Sequence, residues 1–415
     1  MDAIPSRVTC CIAGGGPAGV MLGFLLARAG VEVLVLEKHG DFLRDFRGDT
    51  IHPSTLQLMD ELGLLASFLQ RPHQEIRELH GIIGDTDVTI ADFRHLPTRC
   101  KFVALMPQWD FLDFLSEAGR QYPTFHLSMN TEATGLAIEG GRIVGLVARS
   151  AAGEHEIRTD LVIGADGRHS IVRERAGLEV IDVGAPIDVL WMRLSKNDGD
   201  PGQTAGRFIG GRLLVMLDRG DYWQCAFVIH KGGYDAVRAR GIENFRNELV
   251  GIAPFLRERV HELTDWDKVS LLTVAVDRLK EWWRPGLLCI GDAAHAMSPI
   301  GGVGVNLAVQ DAVAAANILA EPLREGTLTD DHLRAVQTRR NMPMRVIQAM
   351  QVIVQKRILG RVIGSNKPVT APFAVRLFNW IPWLRRWPAR LVGIGVRPEH
   401  IHSPVAPALR AVQQT

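Results

Sequence analysis

Short apolar runs and helix-spaced apolar residues alternate at both ends of this chain. VTCCIA and VEVLVLEK are typical of buried parallel strands, and VMLGFLLARAG between them has the spacing of a helix. A further helix-spaced stretch, PSTLQLMDELGLLASFL, follows this predicted βαβ unit. The same style returns late in the chain in GLLCIGDAAHA and LAVQDAVAAANILAEPL. The pattern predicts a parallel-stranded α/β domain that the chain leaves and re-enters.

The middle of the chain has a different period. Between about residues 181 and 275, apolar and polar residues alternate in DVLWMRLSK, RLLVMLDRG and DYWQCAFVIHKG, as in strands of an antiparallel sheet. ELHGIIG and DVTIADF predict an earlier strand pair. We therefore predict an α/β fold with a second, α+β lobe. The first domain comprises 1–75, 99–180 and 271–345, the second lobe 76–98 and 181–270, and 346–415 is a C-terminal helical segment.

A glycine motif lies between the first predicted strand and helix. Gly14, Gly16 and Gly19 form G-x-G-x-x-G, with Pro17 and Ala18 inside it. Such glycines permit a tight turn, close approach of a pyrophosphate to the backbone, and close packing of the helix on the strand. An acid at the end of the second strand, Glu37, followed by Lys38, is placed to bind an adenosine ribose. This context predicts a dinucleotide site rather than an incidental turn.

Two further motifs end apolar runs. DLVIGADGRHS contains Asp166 and Gly167, and LLCIGDAAHAMSPIGGVGVN contains Asp292 before a glycine-rich stretch. Each has a plainer interpretation, because Asp166 fits a strand-ending turn and Asp292 fits a helix cap. His52 and His295 suggest proton transfer, although structural roles are the stronger expectation for both. The order and combination of the three motifs indicate a flavin enzyme.

Composition excludes several classes. The 415 residues carry 47 basic and 46 acidic side chains, so no basic excess indicates a nucleic-acid partner. The five cysteines have no metal-ligand spacing and no metal site is expected; they indicate a reduced, cytoplasmic protein. MDAIPSRVTC lacks the features of a signal peptide, and no apolar run is long enough to predict a spanning helix. The sequence leaves a monomer and a homodimer equally open.

With these motifs, residues 5–330 resemble the FAD-dependent aromatic hydroxylases, the group A flavoprotein monooxygenases of the p-hydroxybenzoate hydroxylase type. Ubiquinone-biosynthesis hydroxylases are also similar. The resemblance implies a Rossmann-like FAD-binding domain with an antiparallel-sheet substrate domain, and non-covalent FAD. NADPH or NADH would serve as a transient reductant, since the sequence has a single glycine fingerprint. Reduced flavin and oxygen would form a C4a-hydroperoxide that hydroxylates a hydrophobic aromatic or quinone-like substrate.

The resemblance also implies cofactor-binding residues. These are Gly14, Gly16, Pro17, Ala18, Gly19, Glu37, Lys38, Arg47, Gln108, Asp166, Gly167, Asp292, Gly302, Gly304, Val305 and Asn306. Arg47 would lie beside the FAD, although a solvated loop arginine is a plainer interpretation. Asp292 would bind the ribityl chain, and residues 299–306 would meet the isoalloxazine ring. Val303 departs from the family pattern, in which this position is often more polar.

The substrate pocket is expected against the middle sheet. Trp191, Arg193, Gln224 and Pro299 are candidate pocket residues, and no catalytic residue is identified. Alternation places Val189 with Trp191 and Arg193 on one face, and their neighbours on the other. The sequence leaves open which face meets the flavin, and each of these residues could simply pack the sheet.

The last 80 residues give the weakest signals. FAVRLFNWIPWLRRWPARLVGIG is rich in tryptophan and arginine, which fits a peripheral contact with the inner face of the membrane. Packing against the flavin domain or a second subunit explains it as well. Rival functions are a flavin reductase or oxidase acting on an isoprenoid or polyketide-like substrate, a flavin halogenase, and a lipid-binding protein on the same fold. A W-x-W-x-I-P-type stretch of halogenases is missing from the sequence.

Overall fold

The computed structural model describes residues 4–43, 50–201, 204–356 and 373–406. Its strands are β1 Arg7–Ala13, β2 Val33–Leu36, β3 Thr50–Ile51, β4 Gln74–Ile76, β5 Glu78–Ile83, β6 Thr86–Asp92, β7 Val103–Leu105, β8 Phe125–Ser128, β9 Glu132–Glu139, β10 Arg142–Ser150, β11 Gly153–Gly164, β12 Val180–Asp182, β13 Ile187–Ser195, β14 Ala205–Ile209, β15 Arg212–Asp218, β16 Tyr222–His230, β17 Ser270–Leu272, β18 Asp277–Leu279, β19 Trp283–Arg284 and β20 Leu287–Cys289. The helices are α1 Pro17–Arg28, α2 Pro53–Glu61, α3 Leu65–Phe68, α4 Gln108–Gly119, α5 Ile171–Arg175, α6 Tyr234–Ala239, α7 Ile242–Ile252, α8 Gly304–Glu325, α9 Asp330–Val354, α10 Phe373–Trp380 and α11 Arg386–Gly393.

A sheet of eight strands forms the centre of the larger lobe. Strands β20, β11, β1, β2 and β8 lie side by side and parallel, with β19 antiparallel at one edge. The long β11 also pairs with the antiparallel β9–β10 hairpin. Strand β2 is buried throughout. Helix α1 packs against β2 and also contacts α4 and α8, so a layer of helices covers this part of the sheet. The βαβ unit predicted at the start of the chain is β1, α1 and β2.

The second sheet has seven strands in the order β17, β13, β16, β15, β14, β5 and β6. Neighbouring strands are antiparallel except for β14 and β5, which are parallel. The two segments predicted for this lobe thus meet in one sheet at the β14–β5 pair. The predicted combination of a parallel α/β sheet with a separate, mainly antiparallel sheet is confirmed.

The two faces of the seven-stranded sheet have different surroundings. One face, here called the helix-packed face, buries Leu190, Met192, Leu214 and Cys225 together with residues of α6 and α7. On the opposite face, here called the inner wall, the buried residues are Ile187, Val189, Leu213, Ala226, Val228 and Val274. Ile300, from the glycine-rich stretch, packs against the inner wall. The inner wall is therefore the face towards the glycine-rich stretch, and that this face meets the flavin stays a prediction.

The C-terminal segment covers the edge of the second sheet. Helix α9 continues without a break past the predicted domain boundary at residue 345, and the division into domains stays a prediction. Helices α10 and α11 both contact the edge strand β6. A Cβ at Gly393 would lie 2.8 Å from Leu96 Cδ1, so α11 approaches this lobe closely. The segment predicted to be helical thus packs on the body of the protein.

One long apolar helix among the described residues could be mistaken for a membrane span. The stretch Ile300–Glu325 is long and apolar enough, but 83% of its apolar window is buried inside the protein. It is therefore the central core helix of the larger lobe.

Candidate active site

The sequence motifs meet at one edge of the parallel sheet. Gly14 follows β1, Glu37 follows β2, Ala165 follows β11 and Ile290 follows β20. Backbone hydrogen bonds continue the sheet into these turns, from Ala165 N to Ala13 O at 2.8 Å and from Ile290 N to Gly164 O at 2.9 Å. Because these four strands are adjacent and parallel, their carboxyl ends bring the motifs together, as in dinucleotide-binding sheets.

Glycine is required where the first two motifs touch. Gly14 has a φ of +104°, and a Cβ there would lie 2.4 Å from the carbonyl oxygen of Ala165. A Cβ on Gly19 would lie 1.9 Å from the carbonyl oxygen of Gly14, so the helix could not pack at its present distance. A Cβ at Gly16 meets nothing within 4 Å, which leaves its surface open. The three glycines thus provide a tight turn, an open approach and close helix packing.

The start of α1 has backbone donors that no side chain caps. Gly16 is the N-cap, Pro17 begins the helix and Ala18 is buried, while the first turn carries neither an acidic residue nor a side-chain cap. Glu37 is held against this loop, since its carboxylate accepts from Gly15 N at 3.1 Å and from His39 N at 3.1 Å. The adjacent Lys38 is exposed. A helix start with free N–H groups beside an acid suits a pyrophosphate and a ribose.

Asp166 carries a buried acceptor at the junction of the motifs. Its Oδ2 accepts from Val172 N at 3.2 Å, whereas Oδ1 is buried and lacks a hydrogen-bond partner among the described residues. Burial raises the pKa of Asp166, although the Ser170 side chain and nearby backbone N–H groups partly offset this. Gly167 follows with a φ of +85° and open space around its Cα. A hydroxyl donor of a bound sugar chain would satisfy the unpaired oxygen.

Asp292 lies close to the second motif. Its Oδ2 is 3.6 Å from Arg168 Nη2, and both side chains are about one-third exposed. Gly291 before it has a φ of +58°, and a Cβ there would lie 3.1 Å from Cβ of Ala18. The third motif therefore contacts the start of α1 as well as the second motif.

The glycine-rich loop after Asp292 is fixed from two sides. Thr50 Oγ1 donates to Gly302 O at 2.9 Å, and a Cβ at Gly302 would lie 2.3 Å from the same hydroxyl. Asn306 is buried and its Oδ1 accepts from His52 N at 3.0 Å and from Thr55 Oγ1 at 2.7 Å. These contacts hold the start of α8 against the segment that follows β3.

Other predicted residues of this loop occupy defined positions. Pro299 is partly buried, Gly304 begins α8, and Val305 is buried in its first turn. Val303 is the N-cap of α8 and is 97% buried, so its apolar side chain packs inside rather than facing solvent. Two other predicted residues lie outside this loop. Gln108 begins α4 and is partly buried. Arg47 lies outside the described residues.

Sequence reasoning missed two glutamines that hold the loop from α9. Gln351 is fully buried, and its Nε2 donates to Ser298 O and Ile300 O at 2.9 Å each. Its Oε1 accepts from Ser298 N at 3.1 Å, and Gln355 Nε2 donates to Ser298 Oγ. Two glutamines four residues apart on a helix were the available signal, because that spacing places them on one face.

A buried ionic network, also missed, supports the Gly291 turn. Asp311 is fully buried; its Oδ2 accepts from Gly291 N at 3.1 Å and contacts His295 Nε2 at 2.6 Å. Its Oδ1 accepts from Arg340 Nε at 2.9 Å, and Arg340 Nη1 lies 3.2 Å from Glu399. Burial alone would raise the pKa of Asp311, but His295 and Arg340 outweigh it and lower the pKa. An acid within the apolar first half of α8 was the signal for this network.

The histidines of the motifs have structural contacts. His295 is buried between Asp311 and the ring of Trp282, whose centroid is 5.0 Å away. His52 is buried, and its Nδ1 donates to Val392 O at 2.7 Å. Burial lowers the pKa of His52 to about 4, so the ring is neutral at physiological pH and Nδ1 carries its proton.

The pocket candidates on the second sheet lie along the inner wall. Register pairs Trp191 with Ala226 and Arg193 with Gln224. Trp191 packs against the apolar residues of the wall. Gln224 is buried and accepts from Arg219 Nε at 2.9 Å, whereas Arg193 is exposed with its guanidinium 3.8 Å from the centre of the Tyr222 ring. The wall is therefore apolar beside Ile300 and polar towards the far end of β13.

The edge of the parallel sheet has the features that FAD needs. It presents an uncapped helix start, an open approach at Gly16 and a buried, unpaired acceptor on Asp166. Among the described residues no group of three or more His, Cys, Asp or Glu is arranged to hold a metal ion. The residues present thus fit a dinucleotide with sugar hydroxyls and phosphates.

Comparisons with known proteins agree with this geometry. The family model described as "FAD binding domain" matches residues 7–350. A 6-methylpretetramide 4-monooxygenase from Streptomyces rimosus is 34% identical over 387 residues, covering 91% of each chain. The family-model match over residues 7–350 includes both sheets and the start of the C-terminal segment.

Solved structures share the fold. PqsL of Pseudomonas aeruginosa, solved in complex with 2-aminobenzoylacetate, superposes with a TM-score of 0.73 at 23% identity, covering 86% of this chain and 97% of that one. OxyS, an anhydrotetracycline hydroxylase from Streptomyces rimosus, gives 0.71 at 22% identity, covering 93% and 76%. The chain belongs to the FAD-binding class A flavoprotein monooxygenases and is an FAD-dependent aromatic-compound hydroxylase.

Proposed function

We propose that this enzyme hydroxylates a polycyclic, polyketide-like aromatic compound, with NADPH or NADH as the electron donor. The main support for this substrate class is the inner wall, whose buried apolar residues are all aliphatic and which meets the glycine-rich loop at Ile300. A broad aliphatic surface binds a fused ring system through burial and gives it few hydrogen bonds. The 34% identical relative is named for such a compound, 6-methylpretetramide.

The polar end of the inner wall would orient the substrate. Gln224 is buried with its carbonyl oxygen accepting from Arg219, so its amide N–H group is available to a hydroxyl or carbonyl oxygen of the substrate. The apolar end excludes water from the ring that reacts. A polycyclic substrate would therefore lie with its apolar rings beside Ile300 and its oxygenated edge towards Gln224.

Cofactor roles follow the positions of the motifs. Gly14, Gly16 and Gly19 would hold the pyrophosphate, Glu37 the adenosine ribose, and Asp166 and Asp292 the ribityl chain and nearby hydroxyls. Reduced FAD held there would supply the electrons that activate O2, from which the substrate receives one oxygen atom. The start of α8 directs N–H groups towards the loop at 299–304, where negative charge on a flavin ring would be stabilised.

The reductant would bind transiently, because the sequence contains one glycine fingerprint and that one serves FAD. Stopped-flow flavin reduction with NADH and with NADPH identifies the donor. A cytoplasmic location agrees with five free cysteines, all of them buried. Stable binding of the nicotinamide without flavin reduction would contradict the transient-donor proposal.

Turnover in labelled oxygen gas tests the proposal. A panel of polycyclic phenols and monocyclic phenols is screened for compounds that accelerate NAD(P)H oxidation, and the products are analysed by mass spectrometry. We expect polycyclic compounds to accelerate oxidation more and to gain one labelled oxygen atom. Hydrogen peroxide as the only product, or a saturated product without labelled oxygen, would replace this proposal with the oxidase or reductase alternative.

A further inference from the structure

The basic residues of this chain are unevenly distributed. Residues 332–398 contain 13 of the 47 Lys and Arg residues and none of the 46 Asp and Glu residues. The remainder of the chain is therefore acidic overall, although the net charge of the protein is only +1. Among the described residues of this stretch, the exposed arginines Arg386 and Arg390 have no acid near them in sequence, which favours attraction to polyanions.

Large aromatic side chains are exposed within this basic stretch. Trp380, Trp383 and Trp387 are 69%, 56% and 66% exposed, and Ile381 between them is 36% exposed. All lie within residues 380–387, from the last residue of α10 to the second residue of α11. Trp383 and Trp387 are four residues apart in consecutive helical turns, which places them on the same side. We name Trp380, Ile381, Trp383 and Trp387, with the exposed Arg386 and Arg390, the tryptophan patch.

The tryptophan patch is attached to a fixed support. In α11, Ala389 and Gly393 are buried, and Ala389 lies on the opposite side of the helix from Trp387. Asn379 Nδ2 donates to Asp87 O at 2.7 Å, and Val392 O accepts from the buried His52. Since the buried residues of α11 already pack against the protein, the exposed Trp387 ring faces away from that contact.

We propose that the tryptophan patch binds the surface of an anionic phospholipid bilayer. Indole rings favour the headgroup region, where the ring is partly desolvated and its N–H group meets polar atoms. Arginines beside them attract anionic headgroups and keep their hydration at the surface. Binding would place the protein on the membrane without inserting a helix across it.

The composition of the patch favours lipid over other polyanions. Nucleic-acid binding by stacking needs aromatic rings that line a groove, whereas Trp380, Trp383 and Trp387 are each more than half exposed. Tryptophan and arginine together are typical of segments at a headgroup interface, and both occur here within residues 380–390. This inference does not rest on the proposed substrate.

Co-sedimentation of the FAD-loaded protein with vesicles tests the proposal without any turnover. Binding to vesicles containing phosphatidylglycerol is compared with binding to pure phosphatidylcholine vesicles, at low and high salt. We expect binding to the anionic vesicles only, with loss at high salt. The double variant Arg386→Gln/Arg390→Gln should bind roughly 30-fold more weakly, since each arginine contributes about 1 kcal/mol near an anionic surface.

Further variants separate lipid binding from misfolding and self-association. Trp383→Ser/Trp387→Ser should also lose vesicle binding, while Arg238→Gln/Arg257→Gln, at exposed positions of the second lobe, should bind like wild type. Flavin absorbance and circular dichroism verify folding of each variant. Equal binding to both vesicle types, no binding by the wild type, or full binding by the arginine variant would overturn the proposal. A dimer in light scattering that the tryptophan variant abolishes would instead assign the patch to a second copy and also overturn it.

Discussion

The carboxyl edge of the parallel sheet and the inner wall of the second sheet border the same loop but are built differently. At the edge, polar atoms are fixed one by one, as where Gly291 N donates to Asp311 and Thr50 Oγ1 donates to Gly302 O. Along the wall, buried aliphatic side chains are held by packing alone. Hydrogen bonds fix positions of individual atoms, whereas packing fixes volume and shape.

This difference suggests how one family uses one cofactor with many substrates. Changing a residue at the edge removes a specific partner of the cofactor or of its supporting turn. Changing an aliphatic residue of the wall alters the size of the pocket and leaves the edge intact. Substrate choice can therefore vary through the wall while the flavin site is retained.

Removing the charge of Asp311 should cause the largest loss at the edge. Asp311→Asn leaves the buried Arg340 and the Gly291 turn without their carboxylate, and we expect a loss of about 3–5 kcal/mol in unfolding free energy. Since the folded pKa of Asp311 is lowered, its contribution is complete above the unfolded pKa and is lost as pH falls through the folded value. Urea unfolding at neutral and acidic pH measures both effects.

A matched variant controls for the change of side chain. Asp331→Asn removes a carboxylate that pairs with Arg334 on the exposed side of α9, where the Asp331 side chain is 83% exposed. We expect a change within about 0.5 kcal/mol. If Asp311→Asn were equally mild, the buried network would not support the edge.

Two neighbouring leucines on β15 separate the faces of the second sheet. Leu214 is on the helix-packed face and fully buried, so Leu214→Ala should cost about 2–5 kcal/mol of stability and leave substrate KM unchanged. Leu213 is on the inner wall, so Leu213→Ala should raise KM and cost less stability. Urea unfolding and steady-state kinetics test the pair. Equal KM values for the two variants would show that the inner wall does not contact substrate.

The sequence predicted the edge better than the wall, for physical reasons. Glycine turns and strand-ending acids are local requirements, so Gly14, Gly19 and Asp166 were visible as motifs. Which face of β13 meets the loop depends on packing between lobes that are distant in sequence, and alternation alone cannot decide it. The contact of Ile300 with the wall resolved it.

The buried ionic network that supports the carboxyl edge of the parallel sheet was not predicted, for a similar reason. Asp311, Arg340 and Glu399 come from α8, α9 and the C-terminal segment, and their contacts form only in the folded chain. Glu399 is the one acidic residue after Asp331, which was a usable signal. Its pairing with Arg340 could not be predicted, because it depends on where the chain runs after α11.

Removing the carboxylate of Asp292 should lower the affinity for FAD more than it lowers the stability of the fold. Asp292→Ala removes a charged acceptor, and we expect FAD to bind roughly 10- to 150-fold more weakly, equivalent to about 1.5–3 kcal/mol. Flavin fluorescence during titration of the apoprotein measures the affinity. Asp235→Ala on α6 of the second lobe is the control and should bind FAD like wild type. Unchanged affinity in Asp292→Ala would remove Asp292 from the proposed cofactor contacts.

The smallest expected effect concerns His52, which joins the edge to the C-terminal segment. Burial lowers its folded pKa from 6.5 to about 4, so the unfolded chain takes up a proton more readily than the folded protein. Stability should therefore fall as pH decreases from 6.5 towards 4, by about 1.4 kcal/mol at a pH of about 5.5. His52→Gln should flatten this part of the pH profile in urea unfolding, whereas His261→Gln at an exposed position should not. An unchanged pH profile in His52→Gln would mean that other groups cause the loss, and that the contact between His52 and Val392 is not titrated in this range.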